Sequence, residues 1–539
     1  MGSDTVASVL SGHARRTPDA PFLLFERAPG DVVTLTYADM DARADRAANL
    51  LRAHGVSPGG RFGVQLANCI EFFDLWFGAA KAAAVMVPNN PLSTADELAY
   101  VFAHAGIELT VCSPDLLDPV LAAHKLLPDG GAGSRVLVTG SAGTGAEGAE
   151  GYQTALDGAS ADPVDAAAGP LAVLGVLYTS GTTSRPKGVL VTNANYLHVG
   201  ESVAEYLRLR PADRGLIVLP MFHGNAQYYS TMSALVTGAS LGLAPKFSAS
   251  RWSEQATALG ATYASLFAAP IRMILAAEPS PADRAHALRI TMFAQNVTDD
   301  QVAGFERRFG VPLAQLYGMT ETIAPPLLNP LYGERRNHTI GRPALGASVR
   351  LVAEDGETDV APGEVGEILV GGVPGVTLMA GYLDNPDATA AAMSPDGVGP
   401  TRPGAARVWL HSGDNARMDA DGYLHFVDRG KDVIKRAGEN VSSGEVERVL
   451  NEHPAVFESA AIGVPDEMRD ESIKMFVVLH EGAAVTEDEL IAWSAARLAK
   501  FKVPGAVEFV AGLPRTSVGK IQKHILRKRE QAARENLGT

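Results

Sequence analysis

Ten consecutive residues, Thr179-Ser180-Gly181-Thr182-Thr183-Ser184-Arg185-Pro186-Lys187-Gly188, hold three threonines, two serines, an arginine and a lysine among glycines. Backbone N–H groups, hydroxyls and a cation are together the groups that surround phosphate oxygens. A polar hairpin turn is the plain alternative, but turns seldom concentrate so many hydroxyls and cations. The loop is not a Walker A motif, which needs G-x-x-x-x-G-K-[ST] opening directly into a helix. Here Val189-Leu190-Val191 follow as a short strand and a helical pattern begins only near Asn193. The spacing therefore predicts a phosphate loop between two strands. Two other segments, Gly55-Val56-Ser57-Pro58-Gly59 and Gly238-Ala239-Ser240-Leu241-Gly242, match the nucleophile elbow of hydrolases. The elbow needs a strand before and a helix after; both segments show the reverse order, and neither reads as a nucleophile.

The 179–188 loop resembles the phosphate loop of the adenylate-forming superfamily, which includes acyl-CoA synthetases, luciferases and the adenylation domains of peptide synthetases. Further matches follow in that superfamily's order: Tyr317-Gly318-Met319-Thr320-Glu321, His411-Ser412-Gly413-Asp414, Asp428-Arg429-Gly430-Lys431-Asp432, Lys435-Arg436-Ala437-Gly438-Glu439-Asn440, and Pro514-Arg515-Thr516-Ser517-Val518-Gly519-Lys520. The resemblance spans the chain from near Thr17 to about Arg527.

It implies a two-step reaction: a carboxylic acid attacks the α-phosphate of ATP, releasing pyrophosphate, and a thiol then displaces AMP from the acyl-adenylate. Positioning and charge stabilisation dominate such chemistry. By resemblance, Thr179, Ser180, Gly181, Thr182, Thr183 and Lys187 hold the β- and γ-phosphates. Glu321 is the Mg²⁺ carboxylate, and Thr320 beside it meets the α-phosphate. Gln295, Asn296, Tyr317, Gly318 and Met319 border the nucleotide, Asp414 accepts the ribose hydroxyls, and Arg429 meets ribose or phosphate. Lys520 stabilises α-phosphate charge during adenylation only. Lys431 is a hinge, and Lys435, Gly438 and Glu439 meet CoA. His223 flanks the acyl pocket, whose other expected walls are Asn225, Tyr228, Tyr229, Phe293 and Ile323. The co-substrates implied are ATP, Mg²⁺, CoA and a carboxylic acid.

Three departures qualify the resemblance. Ser184 replaces a usual glycine. The stretch 394–406 is long. Where relatives carry a glycine-rich turn against adenine, this chain reads Met292-Phe293-Ala294-Gln295-Asn296-Val297. That last departure resembles the crotonobetaine/carnitine–CoA ligase branch, as do Glu334-Arg335-Arg336, Gly372-Val373-Pro374-Gly375 and Arg469-Asp470-Glu471. The acid stays open between a fatty, a carnitine-like and a bulky specialised-metabolite acid. The competing reading is a stand-alone enzyme that loads an acyl group onto a carrier protein.

The elements that must position these groups alternate. Met40, Ala44, Ala47, Ala48 and Leu51 recur at helical spacing, Phe62, Val64 and Leu66 alternate as a strand, and 72–84 reads as helix. Such alternation points to α/β layers with a largely parallel sheet. Between 347 and 382, apolar runs separated by Gly and Pro predict a small antiparallel β unit. The chain of 539 residues is thus expected to form a large N-terminal domain (1–428) of layered α/β subdomains with a small β-barrel-like unit. A smaller, mobile α+β C-terminal domain (429–539) follows. A net charge of −15 at pH 7 disfavours nucleic-acid partners. Two cysteines, Cys69 and Cys112, exclude a disulfide framework. Asp74 and Lys81 interrupt the one apolar stretch that tempts a membrane reading, so the expectation is a cytoplasmic enzyme with no integral membrane segment. Association as a homodimer is left open.

Overall fold

The computed structural model describes residues 4–128, 130–140, 149–164, 168–179, 185–396, 406–429, 433–436, 439–466, 470–516 and 519–537. Two large sheets carry the body. One has nine strands in the order Arg342–Pro343, Leu327–Leu328, Leu313–Tyr317, Ile290–Ala294, Tyr263–Phe267, Arg214–Ile217, Ser240–Leu243, Pro21–Ala28, Asp31–Thr36. The other has eight: Gly381–Tyr382, Lys187–Thr192, Val173–Thr179, Val85–Pro88, Arg61–Gln65, Leu109–Cys112, Arg135–Val138, Ala149–Gly151. Both are parallel in the middle and antiparallel toward an edge.

Helices form three layers around them. Tyr37–Ala53, Ile70–Ala82 and Asn193–Leu207 share a core with residues of both sheets, such as Leu23 and Val64, and so lie between them. Trp252–Ala258, Ala268–Ala276 and Asp299–Phe309 cover the outer face of the first sheet. Ala95–Ala105 and Leu117–Lys125 cover that of the second. Covering both faces explains a difference in the strand Arg61–Gln65. Phe62, Val64 and Leu66 alternate as expected, yet Gly63 and Gln65 between them are buried too. Gln65 is tolerated inside because its Nε2 donates to the Asn90 carbonyl at 2.8 Å.

The central helix Ile70–Ala82 is buried on nearly every side from Phe72 onward, as a helix between two sheets must be. Its two buried charges are paired. Arg43 donates to both oxygens of the fully buried Asp74 at 2.7 and 2.6 Å, while Lys81 reaches Asp41 and Asp45 at 2.7 and 2.8 Å. Capping boxes start its neighbours: Thr36 with Asp39 for Tyr37–Ala53, and Thr192 with Asn195 for Asn193–Leu207.

The expected small β unit is a five-stranded antiparallel sheet of Ser348–Val352, Val365–Gly372, Met393–Pro395, Val408–Met418 and Leu424–Arg429. Beyond it a second five-stranded sheet (Glu439–Ser442, Val433–Arg436, Asp470–Leu479, Val456–Asp466, Ala506–Phe509) packs with its own helices and its own apolar clusters, centred on Ile434, Val446 and Met475 and on Ile462, Phe476 and Leu526. Gly519 in this part approaches Ala269 of the body so closely that an added Cβ would lie 3.0 Å from the alanine methyl.

Candidate active site

The strands Val173–Thr179 and Lys187–Thr192 form an antiparallel hairpin that Thr179 and Lys187 close as direct partners. Between them Ser180, Gly181, Thr182 and Thr183 lie outside the described residues, as do Lys431 and Gly438. From the closed end, Lys187 Nζ sits 4.3 Å from the centre of the Tyr382 ring. Tyr382 in turn donates from Oη to Glu321 Oε1 at 3.0 Å. Burial and the neighbouring Glu321 charge push the Tyr382 phenol well above its ordinary range, so it keeps its proton and remains a donor. Sequence reasoning missed Tyr382. It reaches the site because Gly381–Tyr382 pairs antiparallel with Val189 and Leu190 across the edge of the second sheet, and a tyrosine after a glycine carries no sign of that long-range pairing.

Glu321 lies in a single 3₁₀ turn, Thr320–Thr322, after the strand Leu313–Tyr317, and is only 5 % exposed. The next residue, Ile323, is fully buried with φ +61°, a genuine outlier for a β-branched side chain. The turn is held from within, Met319 N donating to Thr322 Oγ1 at 3.1 Å. Tyr317, ending that strand, donates to Asp414 Oδ2 at 2.8 Å. The bond joins the first large sheet to the antiparallel unit. Register places Arg429 directly opposite Asp414 on the adjacent strand. Strand register likewise pairs Lys435 with Asn440 and Arg436 with Glu439.

His223 follows the strand Arg214–Ile217 and its trailing residues. Asn225 N–H donates to His223 Nδ1 at 3.2 Å. Burial first, and the charge of Lys520 second, push the imidazole pKa down to about 3. The ring is therefore neutral, with its proton on Nε2. That electrostatic influence also puts Lys520, from the far end of the chain, within reach of the body's site.

The expected acyl-pocket residues divide. Asn225, Tyr228 and Tyr229 lie on a buried π-helical segment, Asn225–Met232, a geometry frequent at functional sites. Asn225 spends its amide on Ser265 Oγ at 2.9 Å. Tyr228 is 1 % exposed and its Oη has no hydrogen-bond partner among the described residues. A Cβ on Gly318 would sit 3.0 Å from Tyr229 Oη, so this glycine leaves room for the phenol. Phe293 is different: it is fully buried in the cluster of Trp252, Ile271 and Phe305, while its neighbour Met292 joins Tyr228 and Tyr229. The two faces of one strand separate them. At the end of that strand Gln295 adopts φ +77°, the left-handed backbone that a glycine would take without cost. Gln315 Nε2 donates to its carbonyl at 3.0 Å, and its own Nε2 is buried without a partner among the described residues. Asn296 has an exposed side chain, and its carbonyl accepts from Arg272 at 2.6 Å.

Where the C-terminal part meets the body, a cavity of about 350 Å³ is lined by Asn68, Lys246, Phe247, Arg272, Arg515 and Gly519, among others. Among the described residues no group of three or more His, Cys, Asp or Glu side chains could hold a metal alone, and no helix is long and apolar enough to cross a membrane.

Comparison with known proteins agrees with this arrangement. The profile of AMP-binding enzymes matches residues 10–383, and that of the AMP-binding enzyme C-terminal domain matches 445–520. A crotonobetaine/carnitine–CoA ligase of Proteus mirabilis is 38% identical over 512 residues, covering 93% of this chain and 95% of its own. ATP-bound MatB from Rhodopseudomonas palustris superposes with a TM-score of 0.84 at 27% identity, over 97% of this chain and 98% of its own. A benzoate CoA ligase from Burkholderia xenovorans gives a TM-score of 0.84 at 26% identity, over 97% of this chain and 100% of its own. With both profiles matched and a relative of this identity aligned nearly end to end, the chain belongs to the AMP-binding enzyme family.

Proposed function

We propose that this protein is an AMP-forming acid–CoA ligase that uses ATP to make an acyl-adenylate and then passes the acyl group to the CoA thiol. The relatives named above as CoA ligases support this acceptor over a carrier protein. The observation that carries the reading is the close approach of Gly519 to Ala269 of the body, next to which the charge of Lys520 acts on His223. It supports delivery of a cation by the C-terminal part to the side of the body where Glu321, Lys187 and Asp414 gather.

Each residue then has a task that its geometry suits. Lys187 meets the β- and γ-phosphates with the hydroxyl loop 179–183, and Tyr382 beneath it keeps both Lys187 and Glu321 in place. Tyr382 is a positioning residue, not a catalytic one. Asp414, steadied by Tyr317, accepts the ribose hydroxyls, with Arg429 beside it. Gln295 offers its buried Nε2 donor to the nucleotide alongside Asn296, Gly318 and Met319. Thr320 and Lys520 meet the α-phosphate oxygens as charge moves there. A single buried carboxylate, Glu321, suits Mg²⁺, which is held by one or two carboxylates plus substrate phosphates and water. Bound with ATP, the ion would neutralise phosphate charge. We place the domain boundary at 428/429 with the hinge at Lys431. The second half-reaction would bring Lys435, Gly438 and Glu439 toward CoA.

In the acyl pocket, a buried phenol without a partner is costly, and among the described residues Tyr228 has none. This favours an acid with a hydrogen-bonding group over a plain alkyl chain. The test is acid-dependent ATP–pyrophosphate exchange over a panel of betaine-type, aromatic and fatty acids, followed by thioester formation with CoA. Absence of exchange with every acid would refute the enzyme reading, and exchange without CoA thioester would favour a carrier-protein acceptor.

A further inference from the structure

Between the helix Ala95–Ala105 and the segment 383–388 lies a second cavity, about 290 Å³, lined by Tyr100, His104, Arg185, Lys187 and Asn385. It opens on the outer helix layer of the second sheet, and its lining holds Arg185 and Lys187 and, among the described residues, no acidic side chain. The wall is built. The Arg185 guanidinium lies 5.1 Å from the centre of the Tyr100 ring, whose other contact is a stacked His104 at 5.6 Å and 23°. Tyr100 Oη donates to the Pro186 carbonyl at 3.0 Å, tying the helix to the residue between Arg185 and Lys187. His104 is tethered through Nδ1 to Tyr178 Oη at 2.7 Å, which leaves Nε2 for another partner. Asn385 Oδ1 takes the Ala388 N–H at 3.0 Å, so what it can still offer a ligand is its Nδ2 donor.

Lys187 is the residue that borders both compartments. Its ammonium rests on the Tyr382 ring, which bonds Glu321 on one side, and the same side chain lines the outer cavity on the other. Cations aligned along a passage lower the cost of moving a multiply charged anion through protein. Adenylation releases one such anion. Elsewhere the C-terminal part abuts the body at Gly519 and Ala269, so departure there competes with that contact. We propose that this cavity is an exit site for inorganic pyrophosphate, which moves from Lys187 to Arg185 and His104 before reaching solvent. The proposal rests on the adenylation step of the reading above, which is what supplies pyrophosphate at Lys187. His104 makes no contact with ATP in this scheme; it acts on the product after the bond has broken.

The experiment uses the full-length protein and the variants Arg185→Gln, Arg185→Lys and His104→Gln, with thermal unfolding as a check that each is folded. Two quantities are read. One is inhibition of the forward reaction by added pyrophosphate. The other is pyrophosphate binding by calorimetry with neither acid nor ATP present, with orthophosphate and sulfate as comparison anions. Arg185→Gln is expected to weaken pyrophosphate inhibition and binding about tenfold, the effect of losing one charge-assisted hydrogen bond. Arg185→Lys should recover part of that loss, and His104→Gln should lose severalfold. KM for ATP and for the acid should stay within about twofold in His104→Gln, which alters a residue outside the 179–188 loop, because a merely distorted loop would raise the ATP value as well. The proposal is overturned if pyrophosphate inhibition is unchanged in Arg185→Gln, if KM for ATP rises by the same factor as the pyrophosphate effect in His104→Gln, or if orthophosphate and sulfate bind as tightly as pyrophosphate. Failure of the ligase reading looks different: the parent protein would bind pyrophosphate yet catalyse no exchange with any acid.

Discussion

Replacing Tyr382 by phenylalanine removes a single oxygen and separates two tasks. The ring remains under Lys187, 4.3 Å from its ammonium, while the 3.0 Å bond to Glu321 disappears. Both partners are buried, at 8 % and 5 % exposure, so water does not simply replace the hydroxyl. A hydrogen bond to a charged group is worth about 1.5–3 kcal/mol. At about 1.4 kcal/mol per factor of ten, kcat/KM for ATP should fall roughly tenfold to 150-fold if Glu321 must hold its present orientation. Tyr382→Ala should lose a further factor of about 2 to 30, the range of a cation–π contact worth about 0.5–2 kcal/mol. The assay is acid-dependent ATP–pyrophosphate exchange, run across Mg²⁺ concentrations so that orientation of Glu321 is separated from simple metal affinity. A phenylalanine variant as fast as the parent at limiting Mg²⁺ would refute the view that Tyr382 positions the carboxylate. A phenylalanine variant as slow as the alanine one would show instead that the Lys187 contact contributes nothing.

Three further outcomes are expected. Lys520→Ala should abolish exchange yet leave thioester formation from supplied acyl-adenylate within severalfold of the parent, and equal loss of both steps would contradict delivery of Lys520 for the first step alone. His223, with its pKa pushed from 6.5 down to about 3 by burial and then by Lys520, stays neutral in the folded protein while the unfolded chain takes up a proton below about 6.5. Its contribution to stability is therefore complete above 6.5 and is lost as pH falls toward 3. The Tm difference between parent and His223→Asn should shrink over that window, and NMR titration of Lys520→Gln should show the His223 pKa moving back up. Arg43→Ala leaves the fully buried Asp74 without its two guanidinium bonds and should cost about 3–5 kcal/mol in urea unfolding. The double variant Arg43→Met, Asp74→Leu should recover most of it.

Much of this architecture is legible in the chain because local pattern and tertiary demand agree. The strand ending at Thr179, the short strand after Lys187 and the helix beginning at Asn193 stand where their spacing puts them. Both nucleophile-elbow matches fail as the helix-then-strand order requires, since Gly59 and Gly238 join a helix to a following strand. What eludes sequence reading depends on which face of a strand a residue takes and on which distant element it meets. Phe293 lies one residue from Met292, yet the alternation of a strand covered on both faces sends it to the outer core. Tyr382 gains its meaning from a two-residue strand paired across the hairpin that carries Lys187. Gln295 is expected beside the nucleotide from the sequence, but its left-handed backbone angle is visible only in the structure.

The hairpin Pro21–Ala28 with Asp31–Thr36 occupies one edge of the nine-stranded sheet, and its inner neighbour is Ser240–Leu243. On a ribosome this pair is made early, but the strand that covers its open side comes only after residue 240. At roughly 5–20 residues per second the first strand presents unpaired backbone for on the order of ten to forty seconds, long enough to recruit another chain. The helices Tyr37–Ala53 and Ile70–Ala82 are close in sequence, and their ion pairs can form within that interval. Birth of this enzyme thus begins with a helical layer awaiting a sheet, and nascent chains stalled short of residue 240 should occupy chaperones that chains stalled beyond residue 320 no longer need.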